Sequence, residues 1–184
     1  MSRASASASV VPAWVAELAL HHLDAAYNLG RWLLGNEHDA ADAVHDAFVR
    51  ATRAAHTYTG GNARAWWLAI VRNCCLARLA TRKREAQQRH LSLVQAAAPP
   101  DTDEAEAGVE ASQRHAVIAM QLRALPEEFR EALVLREIED LSYREIADVL
   151  AVPIGTVMSR LARGRALLRR ALDPAHAQEA AHGL

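Results

Sequence analysis

The sequence predicts an all-α fold: two small helical domains joined by a flexible linker. Three observations carry that prediction. Ala, Leu and Arg dominate a chain of 184 residues, 51% of it apolar, and no β-branched run appears. Apolar residues recur at helical spacing on both sides of one aperiodic stretch, 91–111, which gains Pro and acid. Near the C-terminus, LSYREIADVLAVPIGTVMSRLARGRALLRR (141–170) has the layout of a helix, a tight turn and a second helix. A chain of this length holds one or two domains. The expected units are 13–90 and 112–172, with tails at 1–12 and 173–184.

Each element follows from its residues. The segment SRASASAS (2–9) is a polar tail without the apolar core of a signal peptide. No apolar run reaches the length of a membrane span, so the expected location is cytoplasmic, with no membrane insertion. Trp14, Leu18, Leu23, Tyr27, Leu29, Leu33 and Leu34 mark a first helical region, which Gly35-Asn36 breaks. Asp39 to about Ala55 predicts a second helix, with Val44, Phe48 and Ala51 on one side. Asp39, Asp42 and Asp46 lie at i, i+3 and i+7 and share another face. Gly60-Gly61-Asn62 signals a loop, and a third helix runs from about Ala63 to Arg84.

In the second unit a helix runs to Leu125, and Pro126-Glu127-Glu128 opens the next. Ser142 and Glu145 form a capping box, S-x-x-E. Ile146, Val149 and Leu150 give that helix an apolar face, and Ala151-Val152-Pro153 ends it. Pro153 suits the first position of the last helix. Val157, Leu161 and Leu168 form its buried stripe; Thr156, Ser159, Arg160 and Arg163 fall outside. From Met158 to Arg170 there are five Arg and no acid. A helix-turn-helix places such a second helix in the DNA major groove. The bland alternative is a helical hairpin with a solvated basic face.

Net charge is −1, so the signal lies in its distribution. Residues 36–46 carry four acids and no Lys or Arg; 64–84 carry five Arg and Lys83 with no acid; 101–110 carry five acids and no base. Basic patches suit nucleic acid, and acidic ones suit a basic protein surface. Tyr58, Asn62, Trp66, Arg72, Asn73 and Arg78 combine rings, amides and cations. Single-stranded DNA needs that mixture, because bases stack on rings while cations track phosphates. An extruded base also needs hydrogen-bonding groups to read it. Trp66 and Trp67 are adjacent and cannot both face one core, so either one is open to the DNA-facing role. Cys74 and Cys75 are also adjacent, which suits two small buried side chains better than a disulfide or a metal clip. No metal site, catalytic residue or cofactor is expected, and no phosphate-binding Gly loop is present.

Three segments in order carry a resemblance: DAADAVHDAFVRA, ARAWWLAIVRNCCLARLATRKR, and ALPEEFREALVLREIEDLSYREIADVLAVPIGTVMSRLARGR. The chain resembles bacterial sigma factors, specifically the extracytoplasmic-function (ECF) group of the sigma-70 family, over about 18–90 and 112–172. The resemblance implies RNA polymerase core, promoter DNA and an anti-sigma factor as partners. Asp39, Asp42, Asp46 and Phe48 would dock on the β′ clamp helices. Tyr58, Asn62 and Trp66 fall in the melting segment, and Asn73 where an extruded −10 base is read. Arg72, Arg78 and Arg82 would hold nearby phosphates. The second unit would bind the β flap and read the −35 element through Thr156, Met158, Ser159, Arg160 and Arg163. Arg165 would touch phosphate or face away. Met158, Ala77 and Thr59 depart from the family pattern. Met158 cannot make the bidentate guanine contact of an Arg, but it suits a thymine methyl.

Promoter elements roughly 25 base pairs apart span about 85 Å at 3.4 Å per step. About twenty linker residues extend to roughly 66 Å, and the breadth of two domains covers the rest. The acidic run Asp101–Glu110 is either a nucleic-acid mimic or a solubilising spacer. The competing functional class is a stand-alone helix-turn-helix regulator binding duplex operators. That class needs neither the acidic face nor the Trp66–Asn73 segment. An enzyme using Cys74 or Cys75 has little support.

Overall fold

The computed structural model describes residues 12–92 and 109–173; both tails and most of the expected linker lie outside the described residues. Every regular element among the described residues is helical, as eight α-helices, a 3-10 turn and a π turn. The first helical region splits at His22, whose backbone (φ −115°, ψ 27°) leaves the helix, giving α1 (Ala13–His21) and α2 (Leu23–Leu34). Gly35, at φ 82°, closes α2 in the left-handed conformation that glycine adopts without a Cβ clash. Asn36 caps α3 (Glu37–Ala54) by accepting the Asp39 N–H at 2.8 Å.

The buried face of α3 is built of Ala40, Ala43, Ala47 and Ala51. Small side chains let α2 approach closely, and a Cβ on Gly30 would stand 3.1 Å from that of Ala40. Across both lies α4 (Ala63–Ser92), which runs past the expected end at Arg84. Neither Gly nor Pro follows Arg84 until Pro99, so nothing local stops the helix there.

The second unit holds α5 (Val109–Ala124), α6 (Glu127–Leu133) running into the π turn Val134–Ile138, α7 (Tyr143–Leu150) and α8 (Ile154–Leu172). The expected linker is therefore helical at both edges. Pro126 and Pro153 sit at N-cap positions, one residue before the expected first helical position. Their carbonyls accept the first free N–H groups: Phe129 and Arg130 at 3.0 Å on Pro126, Thr156 at 2.8 Å on Pro153. The capping box forms at Ser142 and Glu145, with contacts of 3.3 and 2.7 Å. Ala151 ends α7 at φ 53°, a left-handed site held by a non-glycine residue. Gly164 is where α8 crosses α6: a Cβ there would stand 3.0 Å from Leu133 Cδ1 and 3.3 Å from Phe129 Cβ.

Each unit has its own large buried side chains: Leu29, Trp67 and Leu68 in the first; Leu135, Leu141, Ile146 and Leu161 in the second. Burying each contributes about 1.5–3 kcal/mol. The two units also pack on each other, α4 against α7 and α2 against α6. Nothing local in the sequence signals this contact.

Candidate nucleic-acid interface

The first cluster forms around the start of α4. Gly60 and Gly61, at φ 97° and 100°, make a turn that brings Tyr58 back over the helix. The Tyr58 hydroxyl donates to the Gly61 carbonyl at 2.7 Å. Asn62 accepts the Ala65 N–H at 3.0 Å and so caps α4. The Tyr58 and Trp66 rings lie 5.4 Å apart. Trp14 of α1 adds a third ring, 5.2 Å from Tyr58 and 5.5 Å from Trp66. Trp67 is fully buried, so the choice between the adjacent tryptophans resolves: Trp67 belongs to the core and Trp66 to the ring cluster. Asn73 is exposed on α4. Trp14 was read only as a helix marker, because nothing local connects it to Tyr58 or Trp66.

Arg78 and Arg82 do not join this cluster. Arg78 bonds Asp46 at 2.8 Å and Asp42 at 3.3 Å and lies 3.9 Å from Asp39, while Arg82 pairs with Asp39. Here α4 turns Arg78 and Arg82 toward the acids of α3. The acidic face is correspondingly less free. Asp39 is 17% exposed, whereas Asp42 and Asp46 keep about half their exposure, 47% and 48%. Phe48 lines an apolar groove of about 580 Å³ with Leu20, Leu23, Tyr27 and Val44.

The second cluster is on α8. Met158 is 54% exposed and Ile154 50%, with Ser159 and Arg163 exposed and Thr156 half-buried. The Ser159 hydroxyl donates to the Thr156 carbonyl at 2.9 Å. Arg160 was expected at the base edges and is found elsewhere. It donates to Glu131 at 3.1 Å, lies 3.6 Å from Glu128 and is 19% exposed. Its side chain braces α8 against α6. Arg165 donates to Glu137 at 2.7 Å, and that hydrogen bond, with a second to Tyr143, raises its pKa.

The units meet through polar contacts. Arg72 donates to Glu131 from Nε at 2.6 Å and Nη2 at 3.0 Å. Arg64 donates to the Glu139 carbonyl at 2.8 Å, with the carboxylate at 3.5 Å, and the Asn28 amide donates to the same carboxylate at 3.2 Å. The Asn62 amide donates to Glu145 at 2.6 Å. Hydrogen bonds from the Ser142 hydroxyl and backbone, with a smaller contribution from Asn62, hold the Glu145 carboxyl below the usual carboxylate range. Glu131 and Glu139 are buried, 2% and 7% exposed.

Cys74 and Cys75 are free and buried, and burial pushes the Cys75 thiol up to about 12. Among the described residues no group of His, Cys, Asp or Glu is placed to hold a metal ion.

Comparison with known proteins places this geometry. The Sigma-70 region 2 family model matches residues 18–85, and the Sigma-70 region 4 model matches 115–168. The ECF RNA polymerase sigma factor SigE of Mycolicibacterium smegmatis is 37% identical over 169 residues, covering 90% of this chain and 64% of that protein. The RNA polymerase sigma-H factor of Pseudomonas aeruginosa is 34% identical over 143 residues, 74% of each chain. SigW of Bacillus subtilis, another ECF sigma factor, is 30% identical over 161 residues, covering 81% of this chain and 83% of that one. Among solved structures, the sigma factor RpoE of Bartonella quintana, in complex with the anti-sigma factor NepR, aligns with TM-score 0.67 at 25% identity, over 85% and 95% of the two chains. CnrH in complex with the cytosolic domain of CnrY aligns at 0.61 with 27% identity, over 86% and 87%. Matched by two successive regions of one family, and by relatives along most of its length, the chain belongs to the sigma-70 family of RNA polymerase sigma factors, in its ECF group.

Proposed function

We propose that this sigma factor directs RNA polymerase core to promoters through two DNA-reading faces, one in each of the units 13–90 and 112–172. The first captures unpaired bases of the −10 element. Tyr58 and Trp66, joined by Trp14, offer rings for stacking, which is worth about 1–3 kcal/mol per base. Asn73 supplies an exposed amide to read an extruded base. Asn62 and Arg72 supply further donors to the same strand. Opening then draws on binding energy that only separated strands release, and no catalytic residue is called for. The second face is the start of α8, where Thr156, Met158, Ser159 and Arg163 meet the −35 element. Arg160 acts there by positioning α8 through Glu131.

Core polymerase docks on α3. The apolar groove beside Phe48 supplies contact area, and the half-exposed Asp42 and Asp46 meet basic side chains. The β flap meets the second unit. An anti-sigma factor is a partner of the same class as NepR in the RpoE complex. The work is cytoplasmic, where polymerase acts; among the described residues no helix is long and apolar enough to cross a membrane.

The three-ring cluster, with Asn73 exposed further along the same helix, is the observation that carries this reading, because a regulator of duplex operators has no use for it. Permanganate footprinting of the holoenzyme tests it. Asn73→Ala should lose reactive, unpaired thymines while keeping the closed complex. Equal loss of open and closed complexes would overturn the base-capture role.

A further inference from the structure

Two rows of side chains run next to each other along the exposed side of α8. Gly155, Ser159 and Arg163 form the polar row, four residues apart and all exposed. Ile154, Met158 and Ala162 form the other at the same spacing, and every member is apolar. Ile154 is 50% and Met158 54% exposed, and Ala162 is exposed as well. The core of the second unit does not use this row: the buried residues of α8 are Val157, Leu161 and Gly164. Helix formation does not ask for it either. A first turn gains from an acid beside its free N–H groups, and a β-branched Ile there loses rotamer freedom for nothing. An apolar row left open beside polar side chains marks a contact surface.

We infer that this row reads thymine methyl groups, with Ile154 and Met158 as two specificity-determining residues of the −35 face. The inference rests on the proposed entry of α8 into the major groove and names what that face selects. The C5 methyl is the apolar group that thymine alone presents in that groove. The charge of α8 fits DNA as the occupant: from Ile154 to Leu172 it carries five arginines and no acid. The row also continues the polar one, where Ser159 and Arg163 donate to base edges or phosphates. From Ile154 to Ala162 the helix rises about 12 Å at 1.5 Å per residue, the length of roughly three to four base steps. Ile154 and Met158, one turn apart, therefore meet methyls on different base pairs. An Arg at position 158 would select guanine through O6 and N7. A thioether has no donor for that contact and packs on a methyl instead.

The test uses holoenzyme reconstituted from core polymerase and the full chain, with the duplex it selects from a library randomised over the upstream element. Each thymine of that element is replaced in turn by deoxyuridine, which removes the methyl and leaves every hydrogen-bonding group in place. Wild type should lose about fourfold in closed-complex affinity at each of two thymines, matching about 0.8 kcal/mol for one buried methyl group. Met158→Ala should abolish the penalty at one of them and Ile154→Ala at the other; both side chains are exposed, so the fold is kept. Arg163→Ala should bind every duplex more weakly and keep both penalties. Met158→Arg should move the preference at its position from thymine to guanine. Equal affinity of wild type for thymine and deoxyuridine duplexes would overturn the inference and leave the −35 role of α8 standing. Penalties that persist in both alanine variants would overturn the assignment to Ile154 and Met158. Selection of no upstream element at all would overturn the −35 role itself, and the inference with it.

Discussion

Glu131→Ala is the substitution whose cost is most directly worked from the geometry. Glu131 is 2% exposed and accepts from two arginines, Arg72 of the first unit and Arg160 of the second. Removing it orphans Arg72 and leaves Arg160 only Glu128, at 3.6 Å. Breaking a buried charge pair by deleting one partner costs about 3–5 kcal/mol. Arg72 and Arg160 keep 15% and 19% exposure, so water recovers part of the loss and the net cost falls to about 2–4 kcal/mol. A chain of 184 residues moves about 2–4 °C per kcal/mol, which gives a fall of roughly 4–16 °C in Tm. Glu131→Gln keeps the shape and an acceptor and should lose about half as much. Thermal melting of the full chain, followed by circular dichroism near neutral pH, reads the shift. A Glu131→Ala Tm within about 2 °C of wild type would refute the reasoning, because the network would then be bearing none of the packing.

Arg160 and Arg163 should separate. Arg163→Ala should leave Tm unchanged and weaken −35 DNA binding, lowering its salt slope by about 1. Arg160→Ala should lower Tm by several degrees and weaken all DNA alike; a specific loss of −35 sequence preference from Arg160→Ala in a chain of unchanged Tm would reverse the assignment. Ala151→Gly should raise stability by about 0.5–1 kcal/mol. It relieves about 1–2 kcal/mol of left-handed strain at φ 53° against about 0.5–1 kcal/mol of added chain entropy. A destabilised Ala151→Gly in the same melts would show that the strain is not there.

Much of the fold was legible because its signals are local. The Ser142–Glu145 box, the Gly35-Asn36 break and the periodic apolar stripes each act within one or two turns, and each appears where the residues put it. The site was legible in part. Tyr58 and Trp66 meet in one ring cluster and Asn73 is exposed on α4; loop glycines and a ring beside a core tryptophan can be read in sequence. The acid partners of Arg78, Arg82 and Arg160 were not legible. An unopposed run of arginines looks solvent-facing in sequence, but their acids come from other helices: Asp42 and Asp46 on α3, Glu131 on α6. Trp14 and the contact between the units were hidden for the same reason. A long-range partner leaves no periodicity.

One chain reading two promoter elements for RNA polymerase is put to the test by run-off transcription with purified core enzyme on a promoter library. The chain should convert core into a promoter-specific enzyme whose selected templates share two separated motifs, and Trp66→Ala should abolish opening at the downstream one. Failure to bind core, with tight binding to a duplex operator by the chain alone, would contradict it.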